Sequence, residues 1–251
     1  MCGICGCSDH VHDQDVNEVH HHHSDSNIIA VEEDLLAKNK QYAIKNRTHF
    51  QQKNITALNL MSSPGAGKTT LLGKTFQDLK QYMRMAVIVG DQQTDEDAAK
   101  LKKSGAEALQ INTGRVCHLD AHMIGHAVEE LSIQDNTLLF IENVGNLVCP
   151  ASFDLGETHK IVLLSVTEGD NKPLKYPDMF RGADLILITK MDLLPYVQFD
   201  LDQCEDYIRR INQKVHILHL SSTSDKGIRD WYQWLHDACN LSDLKCHPTR
   251  F

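Results

Sequence analysis

Residues 62–70 read Ser-Ser-Pro-Gly-Ala-Gly-Lys-Thr-Thr, directly after the apolar run 55–61 and directly before a stretch with helical spacing. No other segment restricts the fold as much. A glycine-rich turn lets backbone N–H groups converge, and the unpaired N–H groups opening a helix add their dipole, so such a segment holds phosphate oxygens. On this reading Gly65, Ala66, Gly67, Lys68, Thr69 and Thr70 cradle the phosphates of a nucleotide. Lys68 neutralises the β- and γ-phosphates, and the Thr69 hydroxyl ligates Mg²⁺. Ser62 stands where such a loop usually has its first glycine. The alternative is a turn that merely starts a helix.

Apolar runs at 55–61, 85–89, 108–111, 138–141, 161–166, 185–188 and 215–220 alternate with helical stretches. Their near-continuous hydrophobicity suits strands buried on both faces. The fold class expected is therefore α/β, a mostly parallel sheet with helices on both faces. Apolar positions from 28 to 50 follow helical spacing, among them Ile28, Val31, Leu35, Ala43 and Ile44, with acids at 32–34 suiting the start of a helix.

Residues 1–26 differ in kind. They hold three of the eight cysteines, six of the fifteen histidines, five acids and no Lys or Arg. With almost no apolar content they cannot offset chain entropy, so they read as a disordered Cys/His-rich metal-binding tail before a nucleotide-binding domain at 27–251. No run of 18 apolar residues and no basic-then-apolar leader is present, which points to a cytoplasmic protein without a membrane segment. The net charge of −9 argues against a nucleic-acid partner.

Thr189-Lys190-Met191-Asp192 follows the run 185–188 and is similar to the N-K-x-D guanine motif. The Asp192 carboxylate would accept from guanine N1–H and its exocyclic amine, and the Lys190 stem would cover the ring. Adenine lacks that donor pair. Ser221 leaves the last strand as a base-contacting loop would. Asp91 and Glu142 each close an apolar run and are placed to hold Mg²⁺ with Thr69, while Asp95 or Asp97 positions the attacking water. Helix capping is the competing role for Asp95 and Asp97.

Two groups of soft ligands stand out. Cys2, Cys5 and Cys7 offer three thiolates that suit square-planar Ni²⁺, with a zinc knuckle as the rival. Cys117 and His118 lie together at what reads as a helix start, and Cys149 follows the switch acid Glu142. Taken alone, the Cys117–His118 pair reads as a buried Cys beside a surface His. Cys204, Cys239 and Cys246 show no ligand spacing.

In sequence order, the C-x-x-C-x-C start, the His-rich stretch and segments 31–39, 62–70, 90–97, 112–121, 140–150, 168–177 and 189–192 resemble the HypB family of nickel–iron hydrogenase maturation GTPases. The resemblance covers nearly the whole chain, and 113–121 and 142–150 are its most specific parts. It implies a P-loop GTPase of the SIMIBI class that converts GTP to GDP and phosphate as a slow switch and forms a homodimer linked to nucleotide and metal. It further implies nickel delivery to the hydrogenase large subunit together with a HypA-type metallochaperone. A tight Ni²⁺ site is implied at Cys2, Cys5 and Cys7, and a weaker Ni²⁺ or Zn²⁺ site at Cys117, His118 and Cys149. The His-rich stretch suggests nickel storage as well. The rivals are a nickel-storage protein on a nucleotide-binding scaffold and a urease-type maturation GTPase, whose usual Cys-Pro-His motif is absent.

Overall fold

Each of the seven apolar runs becomes a strand: β1 (Thr56–Ser62), β2 (Arg84–Asp91), β3 (Glu107–Asn112), β4 (Thr137–Glu142), β5 (His159–Ser165), β6 (Leu185–Thr189) and β7 (His216–His219). The computed structural model describes residues 22–92 and 95–239, with side chains from Glu33 onward. The strands form one sheet in the order β3-β2-β4-β1-β5-β6-β7, and every neighbouring pair is parallel. Parallel neighbours need crossovers, which the helical stretches supply. The helices are α1 (His22–Gln52), which precedes β1, then α2 (Lys68–Leu79), α3 (Glu96–Lys103), α4 (Ala121–Leu131), α5 (Cys149–Ser152), α6 (Lys172–Lys175), α7 (Pro177–Arg181) and α8 (Leu201–Ile211) between strands, and α9 (Ile228–Ala238) after β7, with a 3-10 turn at Met191–Tyr196.

Both sheet faces are covered, so alternate strand residues enter different cores. Leu58, Leu60, Leu138, Phe140, Ile161, Leu163, Leu185 and Leu187 face α2, α3 and α9. On the other face Ala57, Leu139 and Ile141 meet α1 and α4, while Val162, Leu164, Ile186 and Ile188 meet α7 and α8. This two-sided burial is why the runs are apolar without alternation. The indole N–H of Trp231 donates to Thr75 Oγ1 at 3.0 Å and Tyr232 Oη to Asp78 at 2.7 Å, locking α9 onto α2 behind the phosphate loop.

The first helix departs from its sequence reading in two ways. It begins at His22 rather than 28, so its opening turn falls within residues the sequence assigns to the tail. Its buried stripe is Asn39, Ala43, Asn46 and Phe50, whereas Leu35 and Ile44 are exposed. The two asparagines are buried because they cap other elements. Asn39 Oδ1 accepts from Ala121 N at 2.8 Å, and Asn46 Nδ2 donates to Ala121 O at 2.7 Å and Leu155 O at 3.0 Å. Cys2, Cys5 and Cys7 lie outside the described residues. No helix among the described residues is long and apolar enough to cross a membrane.

Candidate nucleotide and metal site

The carboxyl ends of β1, β2 and β4 meet where the chain reverses direction across the sheet, the place such sheets bind ligands. Here a cleft of about 800 Å³ is floored by the 63–67 turn and the first turn of α2, and walled by Asp91, Asp97, Asn143 and Gly145. Gly65 (φ 75°) and Gly67 (φ 107°) adopt left-handed backbone, which a side chain at either position would strain. Lys68, 8% exposed, follows at once, so its N–H and those after it open α2 toward the cleft.

Ser62, in the place of the usual glycine, accepts from Lys68 Nζ at 2.9 Å and holds the ammonium under the loop. Burial pulls the Lys68 pKa down, and the charge of Glu142 works against that. Thr69 Oγ1 donates to Glu142 Oε1 at 2.7 Å, and Glu142 Oε2 is buried with no hydrogen-bond partner. A buried carboxylate oxygen without a partner, beside a hydroxyl and near Asp91, is a donor set that fits a hard divalent cation.

Burial lifts the Glu142 carboxyl from its ordinary 4.5 to about 7, opposed by Lys68 and by the Thr69 hydroxyl. A folded-state pKa above the unfolded one gives stability that is complete below pH 4.5 and lost as pH rises through about 7. At about 1.4 kcal/mol per pH unit, roughly 3 kcal/mol is at stake. Metal-free, nucleotide-free protein should therefore lose stability between about pH 5 and 8 by that amount relative to Glu142→Gln, as urea unfolding across this range would record.

Asp97 lines the cleft and accepts from Lys100 Nζ at 3.2 Å. Asp95 is exposed at the N-cap position of α3 and is not among the residues lining the cleft.

On the far side of the loop, Thr189 Oγ1 donates to Ala66 O at 2.7 Å, both groups being buried. The departure from Asn therefore keeps a tether between the end of β6 and the phosphate loop. Thr189→Val leaves that carbonyl unsatisfied and should cost about 1–3 kcal/mol, read as a lower denaturation midpoint at unchanged slope. Lys190 turns the chain with φ 58°. Asp192 Oδ1 accepts from Ser221 Oγ at 2.5 Å, a bond that holds its carboxyl below the usual range. The structure thus joins the two segments the sequence assigned to the base.

Cys117, His118 and Cys149 converge, their ligand atoms all within 4.8 Å of one another. Cys117 Sγ and Cys149 Sγ are 2.9 Å apart. Cys117 and His118 sit in the loop before α4 rather than on its first turn, and Cys149 opens α5. Burial runs opposite to the lone-pair reading: His118 is buried and Cys117 half-buried. The His118 ring stacks on Phe153 at 3.8 Å, its Nδ1 is buried without a hydrogen-bond partner, and burial pushes its pKa down. A neutral imidazole with an unspent nitrogen beside two thiols is a soft-metal ligand set.

One residue connects the two centres. Asn143 directly follows Glu142 and lines the cleft. Its Oδ1 accepts from Leu119 N at 3.2 Å, next to His118, and its Nδ2 donates to Asn59 Oδ1 at 3.2 Å. Sequence reasoning did not single it out, since an asparagine after a strand carries no motif of its own.

The CobW/HypB/UreG nucleotide-binding domain family matches residues 56–219. A hydrogenase maturation factor HypB from Azotobacter chroococcum is 54% identical over 212 residues, spanning 84% of this chain and 70% of that protein. The chain belongs to the HypB family. Its Escherichia coli K12 member is 53% identical over the same share of this chain and 73% of its own. Among solved structures, HypB from Helicobacter pylori in complex with nickel superposes with a TM-score of 0.77 at 39% identity, covering 84% of this chain and 99% of that one. HypB from Archaeoglobus fulgidus gives 0.76 at 38% identity over 81% and 100%. The HypB membership and the parallel sheet bear out the α/β P-loop class expected from sequence.

Proposed function

We propose that this chain is a GTP-hydrolysing nickel metallochaperone for hydrogenase maturation, working in the cytoplasm as a nucleotide-linked homodimer. It would act with a HypA-type metallochaperone and the hydrogenase large subunit. Family membership supports the maturation role, and the nickel complex of the Helicobacter pylori relative supports the cargo. The observation that carries the reading is the Cys117–His118–Cys149 cluster tied through Asn143 to a phosphate-binding cleft.

In this reading Gly65 to Thr70 bind the phosphates and Lys68 leaves Ser62 to meet the β- and γ-oxygens. Thr69, Glu142 and Asp91 are the oxygen donors for Mg²⁺, which when bound neutralises charge on the transferring phosphoryl group. Asp97, inside the cleft, is better placed than Asp95 to orient the water whose oxygen attacks the γ-phosphorus as the bond to the β-phosphate oxygen breaks. Asp192, Ser221 and Lys190 select guanine. Ni²⁺ is cargo, gripped by Cys117, His118 and Cys149, a set that also accepts Zn²⁺. Cys2, Cys5 and Cys7 form the tight Ni²⁺ site, and the His-rich stretch a reservoir. Loss of the γ-phosphate moves the 142–149 segment, and Cys149 with it, relative to Cys117 and His118.

Turnover of GTP and ATP by purified protein and by Asp192→Ala tests the nucleotide assignment. The wild type should prefer GTP in kcat/KM by at least about 100-fold, and the variant should lose that preference. Equal turnover of the two nucleotides by the wild type would refute it.

A further inference from the structure

The two ends of the Asn143 amide are not interchangeable. Its Oδ1 accepts from two backbone donors, Leu119 N at 3.2 Å and Val144 N at 2.9 Å. A backbone N–H cannot reverse, so the carbonyl end faces these donors and the NH₂ faces the sheet. There Asn143 Nδ2 donates to Asn59 Oδ1 at 3.2 Å. Asn59, wholly buried on β1, has its own sense fixed in turn, and its Nδ2 donates to Glu157 Oε1 at 3.2 Å. Glu157 Oε2 accepts from Leu155 N at 2.6 Å. A carboxyl group suits the end of this chain because it can accept at both oxygens, as an amide cannot.

The far end of the chain is pinned. Arg47 on α1 donates to Asp154 Oδ1 at 2.7 Å, and Asn46 Nδ2 bridges Leu155 O and Ala121 O. Gly156, at φ 87°, lies so near α1 that a Cβ there would come within 2.6 Å of Ala43 O. The turn bearing Glu157 is thus tied through α1 to the 119–121 segment that Asn143 holds from the other side, which closes a ring of hydrogen bonds. In such a ring a reversed dipole at one member is passed to the next rather than absorbed.

We propose that Asn59 and Glu157 are positioning residues that hold the Asn143 amide in one sense, and so fix the loop carrying Cys117 and His118 relative to the nucleotide cleft. Neither belongs to the cleft lining or to the Cys/His cluster. Their part in nucleotide–nickel coupling rests on the function proposed above; the sense of the amide does not. Glu157→Gln puts an NH₂ where only acceptors fit. Turned toward Leu155, it opposes a backbone N–H. Turned toward Asn59, it reverses that amide and drives Asn143 off both of its backbone donors. Adding Asn59→Asp removes the conflict: the new carboxylate at 59 accepts from both neighbours, and the amide oxygen at 157 still accepts from Leu155 N.

Amide hydrogen exchange at Leu119, read by NMR on the full-length protein without metal or nucleotide, tests this independently of nickel and GTP. Glu157→Gln should speed Leu119 exchange by about tenfold relative to the amides of β6, and the pair Asn59→Asp with Glu157→Gln should return it to within about threefold of wild type. Unchanged exchange in Glu157→Gln, or fast exchange that the pair does not restore, overturns the proposal. Should Glu157→Gln alone fail to fold, a folded pair upholds it and an unfolded pair overturns it. In the same proteins the ratio of Ni²⁺ affinities with GDP and with a non-hydrolysable GTP analogue should fall to about 1 in Glu157→Gln and recover in the pair. A wild-type ratio of about 1 would refute the coupling and leave the exchange result to decide the positioning role. A ratio above that in the wild type and undiminished in Glu157→Gln would overturn the role itself.

Discussion

Lys68→Ala lowers GTP turnover by at least about 100-fold while the protein stays folded, the scale expected when a preorganised charge on the transition state is removed. Lys68 is buried and its ammonium donates to Ser62 Oγ at 2.9 Å, which in the proposed reading keeps it poised beneath the phosphates. Its removal also relieves a desolvated cation, and Glu142, already lifted to about 7, keeps its proton more firmly. Stability therefore changes little although the chemistry collapses. Single-turnover hydrolysis alongside thermal unfolding separates the two. Turnover within about threefold of wild type would show that the phosphates lie elsewhere.

The second large effect concerns the cargo. Cys149→Ser should weaken Ni²⁺ at the internal site by at least about 100-fold, because a hydroxyl is a far poorer ligand for this ion than a thiolate and the remaining pair leaves the sphere half-filled. Serine is well tolerated where a short helix begins, and Cys149 is only half-buried, so the fold should persist. Equilibrium dialysis of the full chain should then lose one class of Ni²⁺ site and keep the rest. Cys204→Ser is the control: burial pushes that thiol up to about 12, so it remains a protonated core group and its loss should leave Ni²⁺ binding unchanged.

The sheet was legible because each strand is buried on both sides and so leaves an unbroken apolar run. The phosphate loop was legible because its glycines answer a local backbone demand. What escaped sequence reading depends on distant partners. Asn39 and Asn46 look like surface residues until Ala121, Asp154 and Leu155 supply their bonds across more than 70 positions. His118 looks exposed until Phe153 covers it. Thr189 looks like a weakened motif until Ala66 O explains it. The choice between Asp97 and Asp95 turns on which way one helical turn faces the cleft, which two acids two positions apart cannot reveal.

Coupling between nucleotide and metal is the core of this account, and Asn143 is its physical link. The direct measurement is Ni²⁺ affinity at the Cys117–His118–Cys149 site with GDP bound and with a non-hydrolysable GTP analogue bound. The account predicts that the two affinities differ by about 5- to 150-fold, with Ni²⁺ shifting nucleotide affinity by the same factor. Equal affinities in the two nucleotide states would contradict it.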